Sequence, residues 1–379
     1  MLNLDHNATS PLSLAALQAM QTVLVDMQDH AGNPSSPHLH GQRARAKLEQ
    51  ARQQILTAIG GAHGKLVLTS GATEANHLAW HGILAKLAQP RVLTTAVEHP
   101  SVRAQVARLR QAGAQIVDVP VDAQGRVNLQ FFEEQLQQKP HLVSVMAVQN
   151  ELGVIQPIAQ MAALTHAVGA LFHTDATQAP GRIPLNLAEM QVDLASFSAH
   201  KLGGPPGVGA LWLRRGLTLE PLLVGHQEDG LRGGTENLPG IVGMGAAFAE
   251  IPQRLAQMQT IRAARDLLWQ QLEDRAEIRR NGMVNRQEET GHVLHLAVQG
   301  MDGARLVRAL DLEGIATSSG AACASGTQAP SHVLLACGQT PTEAREGLRL
   351  SLGAQSLAEL PNFVPVFLRL LQRFQGLRA

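Results

Sequence analysis

The chain has 379 residues, of which 45% are hydrophobic and 16% are charged, and its formal net charge is +0. This length can bury a large core and predicts two domains. The neutral balance gives no electrostatic reason to expect nucleic acid or a membrane as partner, and 3% of aromatic residues is too little for base-stacking surfaces. The low charged fraction favours a surface partly covered by a partner subunit.

Cysteine usage and the N-terminal sequence bear on the compartment. The two cysteines, Cys323 and Cys337, are too few for a disulfide framework, so a reducing cytoplasmic location is the default expectation. The first ten residues lack the apolar segment of a secretion signal, and no apolar run is long enough to cross a bilayer. His38 and His40 lie in a polar loop with no cysteine or carboxylate partner nearby, so we expect no metal site.

Taken in order, the chain predicts an N-terminal arm at 2–9, which is too polar for a core strand, and then helices at 13–25 and 44–59. A strand at 65–69 and a helix from 75 follow. Strands then alternate with helices. The strands are predicted at 91–97, 115–119, 142–148, 170–174, 192–197 and 208–213, and the helices at 101–112, 129–138 and 158–168. This alternation is typical of an α/β fold with a largely parallel sheet between helices, which binds ligands at the carboxyl ends of its strands.

The C-terminal third predicts a second, smaller α+β domain. A long helical region at 247–272 is interpreted as a linker helix. Beyond it we expect strands at 293–298 and 347–352 and helices at 304–312 and 362–374. The resulting division is a large domain at 15–255, and a small domain formed by 1–14 and 256–379.

Polar side chains follow four of the predicted strands, at 98–99, 149–151, 175–178 and 198–201. Lys201 is a lone lysine between a buried strand and a run of glycine and proline. A lysine at the end of a buried strand loses its proton more easily, and the neutral amine can form a Schiff base. The alternative is an ordinary surface lysine at a strand end.

The turn at 70–74 joins a strand to a helix through small and hydroxylated residues. Free N–H groups at such a helix start, together with the helix dipole, favour an anion. The alternative is a plain N-cap by Thr73, with Glu74 in the first helical turn.

Cys323 lies in a segment, 318–330, that has almost no bulky side chain. Free cysteines are usually buried, so this position indicates an exposed and reactive thiol. The alternative is a tolerated surface thiol. Cys337 ends an apolar helical segment and is predicted to belong to the core.

These stretches together resemble the cysteine desulfurases of the NifS/IscS type, which are fold-type I pyridoxal 5'-phosphate enzymes. The matching stretches cover most of the chain in the family's order: LDHNATSP, GNPSSPH, TSGATEAN, EHPSV, QNELGVIQPI, HTDATQAPG, VDLASFSAHKLGGPPGVGALWLR, RGGTEN, SSGAACASGTQAPSHVL and LRLSLG. The implied fold is a large domain with a mostly parallel seven-stranded sheet between helices, plus the smaller α+β domain.

The resemblance implies a role for each matching residue around the cofactor. Lys201 matches the Schiff-base lysine, Asp175 the carboxylate on the pyridine nitrogen, and His99 the imidazole stacked over the ring. Gln178 matches the donor to the phenolic oxygen. The implied phosphate ligands are the backbone near Ala72 and the side chains of Thr73, Ser198 and His200.

Other matches concern the substrate, the partner subunit and the sulfur. Asn150 and Arg349 match the clamp on the substrate carboxylate, and Asn7 is assigned to the same substrate site. Thr235 matches a residue that reaches the phosphate of the neighbouring subunit, which implies a homodimer. Cys323 matches the nucleophile.

The implied reaction takes sulfur from L-cysteine, which leaves L-alanine and a persulfide on Cys323. The persulfide would pass to an acceptor such as an iron–sulfur scaffold protein. The alternatives are a selenocysteine lyase and a small-amino-acid aminotransferase of the same fold, although the Cys323 segment speaks against transamination. A further alternative is a sulfur-carrier scaffold that keeps only the fold.

Overall fold

The structure is a computed structural model that describes residues 1–320 and 329–376. Its described strands are β1 (Leu2–Asn3), β2 (Gly64–Thr69), β3 (Arg91–Thr95), β4 (Gln115–Val119), β5 (Leu142–Ser144), β6 (Leu171–Asp175), β7 (Leu194–Ser198), β8 (Gly209–Arg214), β9 (Ile278–Asn281), β10 (Val293–Val298), β11 (Ile315–Ala316) and β12 (Gly347–Ser351).

The described helices are α1 (Leu14–His30), α2 (Leu39–Ala58), α3 (Ala72–Leu84), α4 (Pro100–Gln111), α5 (Leu129–Leu136), α6 (Ile158–Ala167), α7 (Leu187–Met190), α8 (Leu238–Ala249), α9 (Ile251–Gln270), α10 (Gly303–Leu312), α11 (His332–Ala336) and α12 (Phe363–Gly376). Short 3₁₀ turns connect several of them, including one over Ala199–Lys201.

A seven-stranded sheet organises the first two thirds of the chain, in the order β2-β8-β7-β6-β5-β3-β4. All neighbouring strands run parallel except β8, which is antiparallel to both β2 and β7. The strands read as nearly continuous apolar runs because helices cover both faces of the sheet. The predicted fold class, an α/β fold with a mostly parallel seven-stranded sheet between helices, is confirmed.

Separate apolar cores form on the two faces of this sheet. One core includes side chains of α2, α6 and α8, for example Ile55, Met161 and Phe248. The other lies under α3 and α4 and includes Trp80 and Val106. Since each face is sealed, polar side chains that follow the strands are left at the sheet's carboxyl edge.

A third core belongs to the C-terminal part, where the antiparallel sheet β12-β10-β9 packs with α9, α10 and α12. Helix α9 joins the two parts, because Ile251 at its start belongs to the core of the large sheet and Leu268 near its end belongs to the C-terminal core. The proposed boundary at 255 falls within α9, one turn after its start.

The N-terminal residues differ from the sequence expectation. They contain a short strand, β1, which pairs in parallel with β11, and Asp5 forms a bridge to Ser351, the last residue of β12. Leu2 and Leu4 are buried in the C-terminal core, which explains how a polar segment is held in place.

The prediction of one continuous linker helix at 247–272 is wrong at its N-terminal end. Two helices occupy the region, α8 and α9, and they meet at Glu250, with a proline in the first turn of α9. Proline suits a first helical turn because its missing N–H has no partner to lose there. Strands β9 and β11 were not predicted, since both are short and β9 carries two arginines.

Candidate active site

Residues 5–9 of the N-terminal arm bring several predicted site residues together at the carboxyl edge of the sheet. The amine of Lys201 donates to the backbone carbonyls of Asn7 (2.7 Å) and Ala8 (2.6 Å). Gln178 Nε2 donates to the same Asn7 oxygen at 3.2 Å. Because both donors share one acceptor, the Gln178 amide lies beside the Lys201 amine.

Asp175 ends β6 and is 4% exposed. Its Oδ1 accepts the N–H of Thr177 at 3.0 Å, and its Oδ2 accepts a hydrogen bond from Asn76 Nδ2 at 2.7 Å. Asn76 Nδ2 also donates to Ser101 Oγ, which lies 2.9 Å from His99 Nδ1. A hydrogen-bonded chain therefore connects the carboxylate to the imidazole.

His99 caps the N-terminus of α4, and its Nδ1 accepts the N–H of Ser101 at 3.2 Å. Burial lowers the pKa of His99, opposed by the charge of Asp175 and assisted by that of Lys201. The imidazole is therefore neutral near pH 7. With Nδ1 acting as acceptor, the ring carries its proton on Nε2.

The turn between β2 and α3 has the features of an anion cradle. The helix begins at Ala72 after Gly71, which has a φ of 156° and offers no side-chain cap. Thr73 lies exposed within the first turn, so the alternative of a Thr73 N-cap is wrong. A Cβ added to Gly71 would meet no atom within 4 Å, so there is open space beside this glycine at the helix start.

Two further candidates for this cradle lie at the end of β7, two strands away from β2 in the sheet, and in the turn that follows β7. Ser198 ends β7 and is 6% exposed. His200 follows in the 3₁₀ turn, 3.1 Å from Thr9 Oγ1. Burial, with the charges of Lys201 and His99, lowers the pKa of His200 to about 4, so the ring is a neutral hydrogen-bonding group.

Arg349, on β12, is 2% exposed and lies at the junction of the arm and the sheet edge. It donates to the backbone oxygen of Asn150 (3.1 Å) and to Asp5 Oδ1 (2.7 Å), while its buried Nε has no hydrogen-bond partner among the described residues. Asn7 Nδ2 donates to the same Asn150 oxygen at 2.9 Å. The structure thus brings the three predicted substrate-binding residues together.

Thr235 differs from the buried candidates. It is exposed in the turn before α8 and lines, with Ser70 and Gly207, a small pocket of about 80 Å³. Arg232, on the same turn, is held to α3 because its Nε donates to Glu74 Oε1 at 2.8 Å. The turn that contains Thr235 therefore lies against the first turn of α3, on the solvent-exposed side of the cradle.

The structure describes only one of the two cysteines. Cys323 lies outside the described residues. Cys337 is 7% exposed, and burial raises the pKa of its thiol to about 12, so the prediction that it belongs to the core is confirmed.

Several polar residues near the site were not assigned from the sequence. Asn76 is fully buried on α3, but Glu74 and His77 lie close to it in the sequence, so the local pattern did not single it out. Glu98 precedes His99 and is fully buried, and Arg182 follows Gln178 by four residues. Their contacts could not be read from spacing, because Asn76 meets Asp175 across 99 positions of sequence.

Two negative findings concern the part of the chain that the structure describes. Within residues 1–320 and 329–376, histidine, cysteine, aspartate and glutamate form no group of three suited to a metal ion. None of the helices in these ranges combines the length and apolarity needed to span a bilayer.

Comparison with known proteins gives a consistent result. The family model Aminotransferase class-V matches residues 2–359. A cysteine desulfurase of Cereibacter sphaeroides is 40% identical over 381 residues, which covers 99% of this chain and 96% of that relative. A NifS-like protein from Rickettsia africae ESF-5 superposes with a TM-score of 0.87 at 29% identity, covering 98% of this chain and 99% of that chain.

A third match is SspA in complex with cysteine, with a TM-score of 0.81, 30% identity, and coverage of 93% of this chain and 99% of that chain. Together with the site geometry, these similarities define a fold-type I pyridoxal phosphate enzyme. The chain belongs to the class-V aminotransferases and, within them, to the cysteine desulfurases of the NifS/IscS type.

The residues present fit pyridoxal phosphate by their chemistry. The site offers an amine (Lys201), a buried carboxylate (Asp175), a neutral imidazole (His99) and a helix N-terminus without a side-chain cap, with open space beside Gly71. The hydroxyl of Thr177 is buried without a hydrogen-bond partner among the described residues, which leaves a donor for a bound group.

Proposed function

We propose that this chain is a cysteine desulfurase, which takes sulfur from L-cysteine and leaves L-alanine. The observation that carries the proposal is the convergence of Lys201 and Gln178 on one carbonyl of Asn7, beside the hydrogen-bonded chain from Asp175 to His99. The similar protein SspA, solved in complex with cysteine, supports cysteine as the substrate.

Bound pyridoxal phosphate supplies an electron sink for negative charge at the substrate's α-carbon. In our proposal Asp175 would hold the pyridine nitrogen and favour its protonated form. Its carboxylate already accepts two hydrogen bonds, which fix its orientation. The uncapped turn at Ala72 and Thr73, with Ser198 and His200, would hold the phosphate.

Lys201 is proposed to bind the cofactor and to move the proton of the substrate's α-carbon. Arg349 would bind the substrate carboxylate through its planar guanidinium, with Asn150 and Asn7 beside it. His99, neutral and protonated on Nε2, would face the ring and is suited to exchange protons with the leaving sulfur.

Cys323 is the proposed sulfur acceptor within the chain. Its thiolate attacks the substrate sulfur, and the electron pair of the broken carbon–sulfur bond goes to the β-carbon, which is then protonated as the methyl group of alanine. The sulfur remains on Cys323 as a persulfide, for transfer to an acceptor such as an iron–sulfur scaffold protein. A reducing cytoplasm suits such a persulfide, and this location stays a proposal.

The direct experiment incubates the holoenzyme with L-cysteine and measures alanine together with the mass of the Cys323 peptide. We expect alanine and one added sulfur atom on Cys323. Cys323→Ala should stop alanine formation, whereas the matched control Cys337→Ala should not, because that thiol is buried and stays protonated. Sustained turnover by Cys323→Ala would contradict the proposal.

The same assay addresses the alternatives. An aminotransferase would consume L-cysteine without sulfide or a persulfide and would need an oxoacid. A selenocysteine lyase would form alanine from selenocysteine in preference to cysteine when both are present.

A homodimer with shared sites is proposed from the position of Thr235, which is exposed and held by Arg232 near the cradle. Mixing inactive Lys201→Ala chains with Thr235→Ala chains should regain activity, because a mixed dimer has one site with both residues intact. No gain over the separate chains would contradict this arrangement.

A further inference from the structure

Arg182 is a half-buried guanidinium that contacts both Gln178 and the backbone of Lys201. Its NH1 donates to the Gln178 backbone oxygen at 3.3 Å and to the Gln178 side-chain Oε1. Its NH2 donates to the backbone oxygen of Lys201 at 3.3 Å. One side chain therefore connects the two residues that converge on Asn7.

The surroundings of Arg182 are unusual for a cation. Its recorded acceptors are all neutral oxygens, and none of the ion pairs among the described residues includes it. Burial lowers the pKa of Arg182 to about 9, and the charges of Arg254 and Arg349 contribute in the same direction. Near pH 7 the group is still charged, so an uncompensated positive charge lies at the edge of the candidate site.

This contact decides which way the Gln178 amide points. A guanidinium only donates hydrogen bonds, so the amide must turn its oxygen toward Arg182. The NH2 group then points to the opposite side, where it donates to the Asn7 carbonyl that also accepts from Lys201. With the amide reversed, the NH2 group would meet the guanidinium and the oxygen would face the Asn7 carbonyl.

We propose that Arg182 is a positioning residue that locks Gln178 with its NH2 group toward whatever is bound at Lys201, and that adds a fixed positive charge behind it. This inference rests on the proposed function, in which Gln178 donates to the phenolic oxygen of pyridoxal phosphate. Both the oriented donor and the half-buried charge would favour the anionic phenolic oxygen and disfavour a proton on the neighbouring nitrogen that would join Lys201 to the cofactor.

The two effects act in the same direction, so the sign of the outcome is fixed. Removing Arg182 frees the amide and removes the charge, and both changes make the cofactor hold its proton to higher pH. An opposite charge within about 4–6 Å shifts a pKa by about 1–3 units. We expect about one unit here, because Arg182 acts partly through Gln178.

The experiment is a pH titration of the holoenzyme, followed through the visible absorbance of the bound cofactor at about 420 nm. Arg182→Met should raise the midpoint by about one pH unit, and Arg182→Lys, which keeps the charge but has fewer donors, should raise it by less. Arg254→Met is the matched control: it removes a neighbouring cation that pairs with Glu250 and has no contact with Gln178, and should leave the midpoint close to the parent value.

Gln178→Ala and the double variant Gln178→Ala/Arg182→Met complete a double-mutant cycle. If Arg182 acts through the amide, its removal should shift the midpoint less in the Gln178→Ala background than in the parent. The inference is overturned if Arg182→Met leaves the midpoint unchanged, or if its shift is the same with and without Gln178. Should Arg182→Met fail to fold, Arg182→Lys tests the same inference, because it too should raise the titration midpoint.

Failure of this inference is distinguishable from failure of the proposed function. A chain that binds added cofactor without any visible band at all would refute the proposed function. A chain with a normal band and a midpoint insensitive to Arg182 would refute only the inference.

Discussion

Replacement of Glu98 by glutamine should remove a pH dependence of stability that a single buried proton creates. Glu98 is 0% exposed, and its Oε1 accepts hydrogen bonds from Thr95 Oγ1 (2.8 Å) and from the N–H of Met146 (2.9 Å). Its other oxygen is buried without a hydrogen-bond partner among the described residues. Burial raises the pKa of Glu98 to about 8, against an ordinary value of 4.5, and the charge of Asp175 contributes.

The sign and size of the effect follow from this difference in pKa. Between the two values the folded chain holds a proton that the unfolded chain has lost, so the free energy of unfolding falls as the pH rises. Each pH unit in this range lowers the free energy of unfolding by about 1.4 kcal/mol, so the loss between about pH 5.5 and about pH 8 is about 3 kcal/mol. Below the ordinary pKa the stabilisation is fully present, and above about 8 it is lost.

Glutamine mimics the protonated carboxyl group, because its oxygen can accept the same two hydrogen bonds and it has no charge. If the two proteins are equally stable below about pH 4.5, glutamine should be the more stable by about 1.4 kcal/mol at about pH 5.5 and by about 4 kcal/mol at about pH 8. The assay is urea unfolding of both proteins at several pH values and equal cofactor concentration, so that other titrating groups cancel in the difference. A difference that stays constant over this range would refute the protonated state of Glu98.

Three further predictions concern the clamp, the core and the cradle. Arg349→Lys keeps the charge but loses the planar fork, so KM for L-cysteine should rise about 10- to 100-fold in steady-state assays. Glu289→Ala leaves three arginines of the C-terminal part without their carboxylate, and urea unfolding should show a loss of about 3–5 kcal/mol. Gly209→Ala would place a Cβ at 2.6 Å from Gly71 Cα, so a cofactor titration should show a higher Kd. Unchanged values in these assays would contradict the corresponding contacts.

The central sheet and its carboxyl edge could be predicted from the sequence, because buried strands leave nearly continuous apolar runs and end abruptly in polar residues. Asp175 and Lys201 follow such strands, so their place at one edge was accessible in advance. Short strands were not predicted, because they lack a continuous apolar run. Strand β9 contains two arginines, and only its pairing with β10 makes it a strand.

The hydrogen bonds that support the site residues could not be predicted from the sequence. The chain from Asp175 through Asn76 and Ser101 to His99 joins residues of three separate elements, and nothing in the local pattern of α3 indicates where Asn76 points. The contact between Arg182 and the Gln178 amide is likewise one that no spacing rule identifies. Such contacts come from tertiary packing, which local propensity does not encode.

The most direct test of the account is chemical trapping of the cofactor on Lys201. The holoenzyme would be treated with borohydride, digested, and its peptides examined by mass spectrometry, with the exposed Lys86 as an internal comparison. We predict a reduced pyridoxal phosphate adduct on the peptide that contains Lys201 and none on the peptide that contains Lys86. An adduct absent from Lys201 would contradict the central claim that this lysine binds the cofactor.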